Sequence, residues 1–140
     1  MVDDAEMREW WRELVLPFAG DGRVVARAFA ELVARYGHNG RFYHNLHHIQ
    51  AVLKQIQPFL PQAQNPVALQ LAAWFHDVVY DATRHDNEAQ SARYAQAVLA
   101  KLGLPEALIC EVERLIMLTA THETTASTRA TTASTRATTA

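Results

Sequence analysis

A histidine and an aspartate stand side by side at His76 and Asp77, directly after the apolar stretch Ala72, Ala73, Trp74, Phe75 and directly before Val78 and Val79. A carboxylate among such neighbours is costly unless it is paired or bound to a cation. Imidazole and carboxylate together suit Mn²⁺, Fe²⁺, Co²⁺, Ni²⁺ or Zn²⁺, and carboxylate with water suits Mg²⁺. Adjacent residues on a helix point about 100° apart, so the pair can grip one ion only near a helix end, or with one member serving a second ion. The competing expectation is that Asp77 caps a helix or pairs with Arg41 or Arg84.

More histidines lie upstream in Tyr43, His44, Asn45, Leu46, His47, His48 and Ile49. On a helix whose buried direction is set by Ile49, Leu53 and Ile56, His48 falls roughly 100° from the centre, at the edge of the core face. His44 lies about 40° further round, one turn above His48, and His47 points nearly opposite. His48 is therefore the expected inward ligand, and His44 its neighbour. The bland alternative is an exposed histidine cluster with one ring hydrogen-bonded at the core edge.

The elements that must position these residues are helical throughout. Met7, Trp10, Trp11, Leu14 and Phe18 recur at helical spacing, closed by Gly20 and Gly22. Val25, Ala28, Phe29, Leu32, Val33 and Tyr36 repeat the pattern up to Gly37 and Gly40. Leu46, Ile49, Val52, Leu53 and Ile56 form a third stripe, ended near Pro58 and Pro61. Residues Val67 to Val79 are apolar on nearly all sides, which predicts a central helix packed by its neighbours. Asp81 to Asn87 reads as a loop, with Asp86 the expected N-cap of a fifth helix carrying Ala92, Ala95, Val98, Leu99 and Leu102. After Gly103, Pro105 suits the first turn of a sixth helix with Leu108, Ile109, Val112, Leu115 and Ile116 inward. The fold class is all-α, a compact bundle of about six helices.

Composition agrees with one soluble domain. The chain has 140 residues, 49% of them hydrophobic and 20% charged, enough for a single core. A net charge of −2 gives no reason to expect a nucleic-acid polymer as partner. The one cysteine, Cys110, excludes an intrachain disulfide, points to a reducing compartment and is expected to be a buried, inert thiol. No signal peptide and no membrane-length apolar run are visible, so the expected location is cytoplasmic. Residues 1–122 form the helical domain. Residues 123–140 form a low-complexity tail in which Thr-Thr-Ala-Ser-Thr-Arg-Ala occurs twice, too poor in large apolar groups to cover a core.

The stretch from Tyr43 to Ile49, then Ala73 to Asp81 with His76 and Asp77 at its centre, then Asp86, Asn87, Glu88, Ser91 and Ala92, resembles the HD-domain superfamily of predicted metal-dependent phosphohydrolases. The resemblance runs from about residue 7 to residue 122, through Leu118, Thr119 and His122. It implies a compact HD-domain-like helical bundle and a divalent metal held by His48, His76 and Asp77. Asp81 matches the second acidic residue of the His-Asp-x-x-Glu-Asp motif of alarmone hydrolases, with Tyr80 in place of the glutamate, and Glu88 and Ser91 match positions near the site. The family uses a fourth ligand, an aspartate on a later helix, and this chain has no aspartate after Asp86. Relative to the family pattern it is C-terminally incomplete, and Glu123 or His122 are weak substitutes.

The expected chemistry is hydrolysis of a small phosphate ester, a nucleotide among the candidates, by metal-activated water. Asp77 is expected to bridge ion and water, and Asp81 to act as general base or acid. Arg41, Arg84 and His44 are expected to neutralise phosphate charge, and Glu88 to lie at the substrate side or to act only on the helix N-terminus. The alternatives are a catalytically impaired HD-type domain that binds metal, nucleotide or a protein partner, and a plain helical interaction module dimerising through Trp10 and Trp11.

Overall fold

The computed structural model describes residues 4–37 and 45–128, with side chains as far as Thr119. Among the described residues all regular structure is helical: α1 Asp4–Ala19, α2 Gly22–Tyr36, α3 Leu46–Ile56, α4 Pro66–Phe75, α5 Asn87–Lys101 and α6 Glu106–Thr128, with a 3₁₀ segment Gln57–Gln62 after α3. Six helices in an all-α bundle is the architecture that the apolar spacing predicts. No described helix is long and apolar enough to cross a membrane.

Helix α1 buries Met7, Trp11 and Val15, successive turns of one face. Gly20, at φ 71°, turns the chain sharply enough for Asp21 to cap α2 by accepting from Arg23 N at 2.9 Å. Helix α2 lies against α1, fastened by Trp11 Nε1, which donates to Val25 O at 3.1 Å. Pro58 and Pro61 both fall in the 3₁₀ segment, where α3 loses its regular ladder. Gly103, at φ 86°, closes α5, and Leu104 N reaches back to Leu99 O at 3.1 Å in the manner of a Schellman motif.

Helix α4 is the axis of the bundle. Ala68 and all of Leu71 to Phe75 are buried, and α3, α5 and α6 all pack on it. Trp74 meets Trp11 edge to face at 5.3 Å between centroids, and Phe29 at 6.3 Å. Tyr36 donates its hydroxyl to Trp74 O at 2.6 Å, so α2 satisfies a carbonyl in the last turn of α4. Two expectations are corrected. The central helix stops at Phe75 instead of Val79, because Val78 N bonds Phe75 O in a tight turn. Trp11 is fully buried in the core, so of Trp10 and Trp11 only Trp10 is partly exposed. Cys110 is exposed instead of buried, since Ile109 and Val112 take the inward positions beside it. Helix α6 also runs five residues into the Thr/Ala/Ser/Arg repeat, to Thr128. The rest of the tail lies outside the described residues.

Replacing Tyr36 by Phe keeps the packing and removes the donor to Trp74 O. Urea denaturation of Tyr36→Phe is expected to show a loss of about 1–2 kcal/mol with an unchanged m-value.

Candidate metal centre

The end of α4 explains how two adjacent residues come to face one point. His76 is the cap residue, its N–H bonded to Ala72 O, and Asp77 already belongs to the turn. Leaving the helix between them frees Asp77 from the 100° separation that a continued helix would impose. His76 Nδ1 lies 2.8 Å from Ala73 O. A carbonyl only accepts, so Nδ1 carries the proton and the Nε2 lone pair is presented on the far side of the ring.

Helix α3 supplies the second imidazole. Asn45 caps it by accepting from His48 N at 3.1 Å, which fixes the first turn on which His48 rides. His47 is exposed and His48 half-buried, as the helical-wheel argument requires. Gln50, whose burial the apolar spacing does not reveal, donates to Glu6 Oε1 at 3.1 Å and ties α3 to α1.

The three side chains converge. His48 Nε2 is 3.4 Å and His76 Nε2 3.5 Å from the same oxygen, Asp77 Oδ2. The imidazole rings are 5.6 Å apart, and one ligand atom from each residue lies within 4.8 Å of the others. Direct charge-assisted hydrogen bonds would be near 2.7–2.9 Å. Atoms bound about 2.1 Å from one ion stand about 3.0–3.4 Å apart in octahedral or tetrahedral geometry. The two spacings to Asp77 Oδ2 and the fixed His76 tautomer are therefore those that two edges of a divalent-cation site would show. The side chains of His76 and Asp77 are 16% and 15% exposed and that of His48 38%, so the cluster opens to solvent on the His48 side. Among the described residues no other His, Cys, Asp or Glu joins the group.

The loop beyond the cluster is held by Ser91, which the resemblance places near the site, and by Asn87. Ser91, fully buried on α5, accepts from Val79 N at 3.0 Å and donates to Val79 O at 3.2 Å. Asn87 Oδ1 accepts from Asp81 N and its Nδ2 donates to Asp81 O. Both clamp the chain to α5 within a few residues of Asp77. Nothing in the spacing of Asn87 and Ser91 alone reveals this, because the partners are backbone groups of another segment.

Among the described residues, the other candidates, Asp81, Arg84 and Glu88, do not join the cluster. Asp81 is exposed, and its Oδ1 accepts from Thr83 N and Thr83 Oγ1. These hydrogen bonds hold its carboxyl below the ordinary value. Arg84 donates Nε and Nη2 to the two carboxylate oxygens of Asp86. Asp86 takes the expected N-cap position of α5, but its side chain makes no cap hydrogen bond and instead accepts from Arg84 and Gln90, which pull its carboxyl far down. Glu88 is half-buried in the first turn of α5. Arg41 and His44 lie outside the described residues, as do the side chains of His122 and Glu123.

No family model matches the chain, and no curated protein or solved structure matches it either.

Ser91→Ala is expected to destabilise the fold by about 1–3 kcal/mol, because two backbone groups of Val79 lose their partner. Chemical denaturation checks it. Asp81 and Asp86 have folded pKa values below their ordinary ones, so their contribution is present above about pH 4 and is lost as pH falls through the lowered values. The amide shift of Thr83, whose N–H donates to Asp81, should follow this titration and move mainly in strong acid. Thr83→Ala should bring the Asp81 titration back towards its ordinary range.

Proposed function

We propose that this protein is a divalent-metal phosphohydrolase whose ion is held by His48, His76 and Asp77. The observation that carries the proposal is the pair of near-equal distances, 3.4 and 3.5 Å, from two imidazole nitrogens to one carboxylate oxygen. They are longer than hydrogen bonds of charged groups and close to the edges of a coordination polyhedron. The resemblance to HD-domain phosphohydrolases supports the same ligands and a fold of the same class. An ion in this site would supply Lewis-acid polarisation of a phosphoryl oxygen and a lowered pKa for water.

The chain's own groups divide the work. His76, with its proton fixed on Nδ1 by Ala73 O, offers Nε2 as a pre-oriented ligand. Asp77 places Oδ2 between the two imidazoles, where its carboxylate would bridge the ion and the attacking water. Asp81, hydrogen-bonded to Thr83 and lowered in pKa, is a poor proton acceptor at neutral pH and acts in this scheme as a positioning residue of the loop. The free, exposed Cys110 is compatible with a reducing, cytoplasmic setting. A second reading, metal binding without efficient turnover, is favoured by the three-residue ligand set among the described residues.

One experiment addresses both. Calorimetric titration of the full chain with Mn²⁺ and Zn²⁺ is run beside hydrolysis of p-nitrophenyl phosphate and nucleoside monophosphates. About one ion per chain is expected, and chelation should abolish turnover that added Mn²⁺ restores. His76→Ala and Asp77→Ala should each weaken metal binding by more than the ~10–100-fold typical of losing an outer-shell partner. Binding without turnover selects the second reading. Turnover that survives chelation, or survives in Asp77→Ala, refutes the proposal.

A further inference from the structure

Next to the cluster lies a groove of about 430 Å³ whose walls include Val52, Ile56, Leu69, Leu115 and Leu118, and His76 belongs to the same wall. It therefore shares a residue with the candidate metal centre, which sits at its His76 edge. The volume is within the range of small-molecule sites.

The polar groups in these walls are few and already engaged. Thr119 donates its hydroxyl to Ile116 O at 2.6 Å, and His76 Nδ1 is held by Ala73 O. The other described lining residues are aliphatic. A nucleobase or sugar placed here would leave donors and acceptors without partners, at a desolvation cost that an aryl or alkyl group escapes. Leu118 is 46% exposed, so one side of the groove is open to an incoming ligand.

We infer that the groove holds the organic moiety of an apolar phosphate ester, aryl or alkyl rather than nucleoside, with its phosphate at the His48–His76–Asp77 cluster. This rests on the metal-centre reading above and narrows it: the phosphate is recognised at the ion, and the rest of the substrate by shape and apolar surface alone. Leu69 and Leu118 become specificity-determining residues.

The test uses non-hydrolysable probes on the full chain with saturating Mn²⁺: methylphosphonate, phenylphosphonate and 1-naphthylphosphonate, titrated by calorimetry. A naphthyl group that loses roughly 60 Å² of apolar exposure should bind ~10-fold tighter than methyl, with phenyl between them. Leu69→Gln and Leu118→Gln, both at partly or largely exposed positions, should cut that advantage to below ~3-fold and leave methylphosphonate affinity unchanged. Equal affinities for the three probes, or an advantage untouched by both variants, overturn the inference while metal-dependent methylphosphonate binding keeps the parent proposal. Absence of any metal-dependent phosphonate binding removes both. Binding of 1-naphthol as tight as its phosphonate counterpart overturns it, since groove and ion would then not act on one ligand. A dimer that Leu118→Gln dissolves also overturns it and assigns the groove to a second copy of the chain.

Discussion

Helix α4 has almost no polar face, and that constraint organises the molecule. Leu71 to Phe75 are all buried, which requires neighbours on every side. Helices α3, α5 and α6 meet it directly, and α1 and α2 reach it through the rings of Trp11 and Phe29, set edge to face against Trp74. An apolar segment of this kind cannot stop in the core, because its last carbonyls need partners. Tyr36 supplies one at Trp74 O, and His76 Nδ1 supplies another at Ala73 O. The second of these satisfies the helix end and, in the same bond, fixes the imidazole that the candidate site uses.

The site is accordingly a property of a helix terminus instead of a helix face. His76 keeps helical geometry and Asp77 leaves it, so the two side chains escape the divergence expected of neighbours on a helix. Asn45 fixes the entry of α3, and Ser91 fixes the exit of the turn at Val79. Three elements thus converge on one carboxylate oxygen. His76 and Asp77 are 15–16% exposed and His48 38%, so among the described residues the cluster meets solvent most on its His48 side. The apolar groove sharing His76 lies beside the same cluster.

The loop from Asp81 to Asp86 shows the opposite regime. Its carboxylates and guanidinium are exposed and satisfy one another at short range: Asp81 with Thr83, Arg84 with Asp86. Such pairs contribute little to global stability in water. They shape the local backbone, and they pair the Arg84 guanidinium with Asp86 in this structure.

The sequence by itself determined the helices and their buried faces, because apolar periodicity is a local property and each stripe from Met7 to Ile116 needs only its own element to be read. It also singled out His48, His76 and Asp77, since histidine and aspartate beside a run of buried residues demand a partner. Only the tertiary structure decided that α4 ends at Phe75, that Ser91 and Asn87 clamp the loop, that the side chain of Asp86 at the N-cap of α5 turns to Arg84, and that Cys110 faces out. Each of these depends on which backbone groups a neighbouring segment brings within hydrogen-bond reach, or on which side of a helix the next one covers. Those are consequences of packing, and spacing along the chain does not encode them.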